Sequence, residues 1–161
     1  MPLVKPSGMD DTQAALLQLR HKDLLRDMQN DPPGTEGTAS YSMRLGLLGK
    51  QKGVPGVSKV GVLDQDVPYI AIHNHPSGGG FTHQDVDMFA MYPNMRVLTA
   101  VGNDGKVYAL SKTDRFNEPM FKIVVKRLST EAKMIGNLRD YQKFMVKYME
   151  RMAECGVEFN A

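Results

Sequence analysis

The sequence predicts an α/β fold, because segments with helical and with strand periodicity alternate along it. A first helix is predicted over residues 11–29, whose apolar residues recur on one side. A short, β-branched-rich apolar run over residues 67–72 predicts a buried strand, and residues 82–92 predict a second helix. Residues 96–101 and 106–110 flank a Gly-Asn-Asp-Gly turn, which is typical of a β-hairpin.

The segment between the first helix and the buried strand is predicted to contain a further strand and a loop. The run DPPG at residues 31–34 ends the helix, and a strand is expected over residues 38–48. Residues 49–57 are rich in glycine and proline and predict a loop or flap. Lys50 and Lys52 in that segment are interpreted either as solvated lysines or as contacts for an acidic partner.

The C-terminal third has a helical pattern from Glu118 onward. Gly136 is predicted to separate two helices over about residues 117–155, and Gly156 is expected to cap the second. Methionines and tyrosines recur along this helical stripe. The stripe is interpreted either as core that packs against the sheet or as a face for a partner or for homo-oligomerisation.

Composition and charge are typical of a globular protein. The 161 residues are 42% hydrophobic and 24% charged, which predicts a single domain over residues 1–161. The net charge of +2 argues against nucleic-acid binding driven by charge. The lone Cys155 excludes both a disulfide framework and a cysteine zinc site. No apolar run is long enough to span a membrane and no signal-peptide core is recognised, so we expect a cytoplasmic protein.

The run HNHPSG, residues 73–78, is the most informative part of the chain. It places His73 and His75 at the end of the predicted buried strand. Residues two apart on a strand share a face, so the two imidazoles should project together and Asn74 should point the other way. A pair of histidines at this spacing is typical of a metal site or of a structural histidine pair.

A carboxylate that could complete the site lies in the following helix. Thr82 is a natural N-cap, and Asp85 three residues later completes a capping-box pattern. Asp87 is the competing ligand, but positions two apart on a helix differ by about 200°, so both cannot face one ion. We favour Asp85, because the Thr82 cap fixes its position. The alternative is that Asp85 only caps the helix.

These residues define a three-ligand N,N,O set of two imidazoles, from His73 and His75, and one carboxylate, from Asp85. Zn²⁺ fits such a set best, with a fourth position left to water, as in catalytic zinc sites. The residues therefore predict a hydrolytic zinc site.

The motif resembles that of the JAMM (JAB1/MPN/Mov34) metalloproteases, H-x-H-P followed by S-x-x-D. The resemblance implies a cytidine-deaminase-like mixed sheet, with a core over about residues 11–112, between the N-terminal helix on one face and the later helices on the other. It implies zinc bound by His73, His75 and Asp85, with Thr82 in the place of the serine that stabilises the oxyanion. Two departures are the threonine itself and a His75-to-Asp85 spacing that is one residue shorter than usual.

The resemblance also implies an upstream glutamate that transfers the proton of the attacking water. Glu36 is the only glutamate before position 118, and it lies between the predicted helix end and the predicted strand, as in JAMM domains. Its alternative interpretation is a solvated turn residue beside Pro-Gly. As the catalytic base, Glu36 would accept a proton from the water and return it to the leaving amine.

The function that the resemblance implies is zinc-dependent hydrolysis of a peptide or isopeptide bond, through a zinc-activated water, in a protein or peptide substrate that includes ubiquitin-like proteins. The sequence HNHPSG is most similar to that of the bacterial and phage branch of the family. Three alternatives follow from that: a RadC-like DNA-associated protein, a phage or toxin-type effector domain, and a catalytically inactive JAMM scaffold.

Overall fold

The computed structural model describes residues 1–54 and 64–161, and it shows a mixed α/β protein with a six-stranded sheet in the described part. The elements in chain order are α1 (Asp11–Met28), β1 (Gly37–Ser42), β2 (Leu47–Lys52), β3 (Tyr69–His75), α2 (His83–Met91), β4 (Met95–Gly102), β5 (Val107–Lys112), α3 (Glu118–Ala132), α4 (Leu138–Arg151), a 3-10 turn (Met152–Cys155) and β6 (Val157–Asn160).

The strand order in the sheet is β2-β1-β3-β4-β5-β6. The β3–β4 pair is parallel, and the other described pairs are antiparallel. A parallel pair needs a crossover connection, which α2 provides between β3 and β4. Ligand sites in such β-α-β units form where the carboxyl end of the strand meets the start of the helix. In this chain the two histidines lie at that point.

Helices cover both faces of the sheet. All seven residues of β3 are buried, as expected for a strand covered on two sides. Ile70 and Ile72 pack in a core with α1, whereas Tyr69 and Ala71 pack in a second core with α2, α3 and α4. This alternation follows from the two-residue period of a strand. The expected placement of the N-terminal helix on one face and the later helices on the other is confirmed.

The prediction of one strand over residues 38–48 is wrong, because the chain forms the antiparallel hairpin of β1 and β2. Leu45 makes the turn in the left-handed region, with φ of 67°, and its N–H donates to Ser42 O at 2.8 Å. Leucine rarely adopts this conformation. Its side chain is 1% exposed, so burial in the α1 core offsets the strain, and no turn motif in the sequence signals it.

The predicted loop over residues 49–57 is corrected in part. Residues 49–52 belong to β2, and residues 55–57 lie outside the described residues. Lys50 Nζ lies 2.7 Å from Asp27, and Lys52 Nζ lies 2.9 Å from Asp31. The two lysines therefore tie the exposed β2 edge to the end of α1, and neither lines the cavity described below.

The C-terminal region contains the two predicted helices and one strand that was not predicted. Gly156 caps the 3-10 turn in the left-handed conformation, with φ of 73°, as predicted for a C-cap. The chain then continues into β6, which pairs antiparallel with β5. Four residues after a helical pattern carry too little periodicity to predict a strand. The strand forms because it satisfies the open edge of β5.

Candidate metal centre

The candidate centre lies where β3 passes into α2. His73 and His75 lie on the same face of β3 and are 4% and 6% exposed. Their Nε2 atoms lie 2.8 Å apart. Asn74 is also buried, and its amide contacts backbone groups outside the histidine pair. The predicted division of side chains between the two faces of the strand is confirmed.

The third member of the cluster is Asp85, in the first turn of α2. Its Oδ1 lies 3.3 Å from His73 Nε2, and its Oδ2 lies 3.4 Å from His75 Nε2. A capping box holds it in place, because the Asp85 N–H donates to Thr82 Oγ1 at 3.3 Å and the Thr82 N–H donates to Asp85 Oδ2 at 2.9 Å. The structure brings Asp85 rather than Asp87 to the histidines. Asp87 accepts a hydrogen bond from Ser129 at 3.1 Å.

The three residues form a buried cluster that could hold a metal ion, with ligand atoms all within 4.8 Å of one another. Tetrahedral zinc, with ligand distances of about 2.0–2.2 Å, separates its ligand atoms by roughly 3.3–3.5 Å. Each His–Asp distance is close to this separation, and the two distances involve different oxygens of the Asp85 carboxylate. The His73–His75 distance is shorter, so the imidazoles must part by about half an ångström for such an ion.

The hydrogen bonding of His75 is typical of a metal-ligating histidine. His75 Nδ1 lies 2.9 Å from Gly79 O, so the Nδ1–H tautomer donates to this carbonyl and presents the lone pair of Nε2 to the cluster. His73 Nδ1, in contrast, is buried without a hydrogen-bond partner among the described residues, so His73 lacks the outer contact that orients His75. A buried carboxylate is costly unless a cation balances its charge. A divalent ion would balance it.

Glu36, the candidate base, directly precedes the strand next to the centre. It is half-buried and, with His75 and Thr82, lines one cavity. The Asn74 side chain holds the backbone on both sides of it. Asn74 Oδ1 accepts the Gly37 N–H at 2.6 Å, and Asn74 Nδ2 donates to Thr35 O at 3.2 Å. Asn74 was not predicted as a site residue, and its position inside H-N-H is the only signal that could have pointed to it.

The cavity has a volume of about 450 Å³ and extends from the centre towards the C-terminal elements. Its walls come from the segment before β1, the turn after β3, the start of α2, the turn between β4 and β5, one face of α4, and the strands β5 and β6. The aromatic and apolar residues on these walls are Phe81, Tyr108, Leu138, Tyr141, Met145, Val146, Met149 and Phe159. The α4 stripe was expected to serve as core, as a partner face or in oligomerisation, and its contribution to a cavity was not predicted. Met145 and Met149 do pack in the core as expected.

Helix α4 is joined to the centre by a hydrogen-bonded pair. The His83 N–H donates to the Tyr141 hydroxyl at 2.8 Å, and His83 Nδ1 lies 2.8 Å from the same oxygen. Burial raises the pKa of Tyr141, so this hydroxyl stays protonated at neutral pH. His83 directly follows the Thr82 cap, so the contact fixes α4 against the first turn of α2.

No helix in the described part of the chain is long and apolar enough to cross a membrane. No protein-family model, curated protein or solved structure matches the chain. The resemblance to JAMM metalloproteases therefore rests on the motif residues alone.

Proposed function

We propose that the protein is a zinc-dependent metallohydrolase that cleaves a peptide or isopeptide bond in a protein or peptide substrate. The observation that supports this most is the convergence of His73, His75 and Asp85 at one buried point beside an open cavity. Glu36 and Thr82 line that same cavity. Two imidazoles and one carboxylate form a ligand set, and a glutamate and a hydroxyl are groups that serve as base and oxyanion donor in metal-assisted hydrolysis.

Zinc would be held by His73, His75 and Asp85. When bound, it supplies a Lewis acid that polarises a carbonyl and lowers the pKa of water towards about 7. The Gly79 carbonyl and the Thr82 N–H keep His75 and Asp85 in their orientations. Such outer contacts typically affect metal affinity by about 10- to 100-fold.

Glu36 acts as the general base in this proposal. It accepts a proton from the attacking water and returns it to the leaving amine, so the carboxylate ends the cycle in its starting state. Glu36 lines the cavity that a water and a substrate would enter. The bridge from Asn74 to Gly37 and Thr35 limits the motion of the backbone that carries Glu36.

Thr82 has two roles in the proposal. Its oxygen accepts the Asp85 N–H, which starts α2 and places the carboxylate. Thr82 also lines the cavity, and in the proposal its hydroxyl donates to the negative charge that develops on the carbonyl oxygen. Threonine retains the hydroxyl of the serine in the related motif, so the substitution is compatible with this role.

The first experiment is the zinc content per chain, measured by elemental analysis on protein purified without chelator. We expect about one zinc in the wild type, little in Asp85→Ala and a wild-type amount in Asp87→Ala, which is the matched control from the same helix. The reverse result for the two aspartates would overturn the ligand assignment. No zinc in well-folded wild type would favour the inactive scaffold.

The second experiment is hydrolysis of peptide and isopeptide substrates by the zinc-loaded protein. Glu36→Gln should keep the zinc and lose hydrolysis, because the amide cannot accept the proton. Unchanged hydrolysis in Glu36→Gln would remove Glu36 as the base. A salt-sensitive interaction with DNA, without hydrolysis, would favour the RadC-like alternative.

A further inference from the structure

We propose that the cavity beside the candidate metal centre is a specificity subsite for an apolar or aromatic side chain next to the scissile bond. This inference rests on the proposed function, because the cavity would bind part of the peptide or isopeptide substrate. The part that it binds is defined by its chemistry, an apolar or aromatic side chain. The structural features that support it are a preformed aromatic wall, a lining helix with exposed apolar residues, and continuity with the centre.

One wall of the cavity is a cluster of three aromatic rings. Tyr108 and Phe159 stack with centroids 6.4 Å apart and an interplanar angle of 13°. Phe81 meets each of them edge-on at 6.4 Å, and its ring lies 6.5 Å from that of His73. Rings in mutual contact hold their orientations, so this wall exists before a ligand arrives. It leads directly from the candidate ligands into the cavity.

A second part of the cavity lining is one face of α4. The lining residues recur at three- and four-residue spacing, which places them on a single side of the helix: Leu138, Tyr141, Gln142, Met145, Val146 and Met149. Met149 is 2% exposed and anchors this face in the core, whereas Leu138 is 70% and Val146 is 44% exposed. The same face therefore changes from core to uncovered apolar surface at the rim of the cavity.

An apolar side chain suits this space better than the alternatives. The cavity volume of about 450 Å³ falls in the range of roughly 300–1,000 Å³ that is typical of small-ligand pockets. A glycine-rich chain end would leave it unfilled. A charged group would meet mostly apolar walls, and the charged lining residues are Glu36 beside the centre and the oppositely charged pair Asp104 and Lys106. Burial of an apolar group against these walls is favourable in proportion to its area.

The test is fluorescence anisotropy with two labelled peptides, Gly-Gly-Ala-Phe-Ala-Gly-Gly and the same sequence with glycine in place of phenylalanine. Binding is measured on metal-free protein, so it does not depend on activity. We expect the phenylalanine peptide to bind about tenfold more tightly or better, because a good apolar pocket discriminates at this level. Equal binding of the two peptides, or no binding of either, would overturn the inference.

Two matched variants test the location of the subsite. Val146→Asp places a charge at the cavity rim and should abolish the preference for phenylalanine. Ile123→Asp makes the same kind of change at a residue of α3 that is 60% exposed and does not line the cavity, so it should keep the preference. Both positions are exposed, so neither variant leaves a buried void. A preference that survives in Val146→Asp would contradict the assignment.

Two further measurements separate this inference from its rivals. If the phenylalanine peptide binds selectively but the zinc-loaded protein hydrolyses neither peptide nor isopeptide substrates, the cavity stands as an apolar binding site and the proposed hydrolysis fails. Hydrolysis without any preference for phenylalanine would support the proposed function and overturn the subsite.

Analytical ultracentrifugation tests whether a second copy of the chain, rather than a substrate, occupies the cavity. A wild-type dimer that Val146→Asp converts to a monomer would overturn the substrate assignment.

Discussion

Asn74 Oδ1 accepts a hydrogen bond from the Gly37 N–H at 2.6 Å, and this contact joins the face of β3 opposite the histidines to the backbone beside Glu36. Because Asn74 Nδ2 also donates to Thr35 O, one buried amide holds both neighbours of the candidate base. The middle residue of H-N-H is thus a positioning residue in the proposed mechanism.

Replacement of this amide should reduce turnover without loss of the metal. Asn74→Ala leaves the Gly37 N–H and the Thr35 carbonyl without their partner, which should lower the free energy of unfolding by about 1–3 kcal/mol. In the folded variant we expect kcat to fall about tenfold, with KM and zinc content unchanged, because the base is misplaced while the ligands are not. Steady-state kinetics and elemental analysis check this. An unchanged kcat would show that the contact does not position Glu36.

Two substitutions of Thr82 should distinguish its role as a helix cap from its proposed role in catalysis. Thr82→Ser keeps the hydroxyl and should retain both stability and kcat. Thr82→Val loses the cap, which should cost about 0.5–2 kcal/mol of unfolding free energy, and loses the donor, which should reduce kcat about 100-fold. Denaturant unfolding and peptide hydrolysis measure the two effects. A Val variant that loses stability but keeps kcat would restrict Thr82 to the helix cap.

His21 should make the protein sensitive to mild acid. It is buried, and its Nε2 lies 2.6 Å from Thr99 Oγ1. Burial, with a smaller contribution from His73, lowers the pKa of His21 from 6.5 to about 4. The unfolded chain therefore binds more protons between pH 6.5 and pH 4. The neutral His21 therefore contributes its full stability above pH 6.5. As the pH falls from 6.5 to 4, the free energy of unfolding should decrease by about 3 kcal/mol.

The measurement is denaturant unfolding from pH 7 to pH 4 in chelator, for wild type and His21→Gln. Glutamine can bond to Thr99 but does not titrate, so the variant should lose less stability across this window. Parallel pH profiles for the two proteins would exclude His21 as the source of the acid sensitivity.

Lys112 should affect the stability of the protein at alkaline pH. Its Nζ donates to Tyr92 O at 2.9 Å and lies 4.5 Å from the centroid of the Phe89 ring. Burial, and then the charge of Arg96, lowers the pKa of Lys112 from 10.5 to about 8. The unfolded chain binds more protons than the folded protein between pH 8 and pH 10.5. Deprotonation of Lys112 should therefore raise the free energy of unfolding as the pH rises through this window.

Lys112→Met isolates this contribution, because methionine fills similar space without a charge. Denaturant unfolding of both proteins between pH 8 and pH 10.5 is the measurement. The free energy of unfolding of the wild type should rise with pH relative to that of the variant. A constant difference across this range would show that Lys112 titrates equally in the folded and unfolded states.

Local sequence patterns were sufficient to predict the core of the candidate site. The apolar run before His73, the two-residue spacing to His75 and the Thr82 to Asp85 capping box each act within a few residues. Strand alternation and helix capping are short-range effects, so they predicted which side chains would meet. The same reasoning chose Asp85 over Asp87, and the structure has that arrangement.

Tertiary structure alone decided what surrounds the site. The Asn74 to Gly37 bond spans 37 residues, and the cavity depends on α4 and on β6, which pairs with β5 across a long connection. The β1–β2 turn depends on the burial of Leu45 against α1. Sequence periodicity shows which face of an element is apolar, but not which other surface covers it. That choice is made by long-range packing and by the pairing of open sheet edges, which no local pattern encodes.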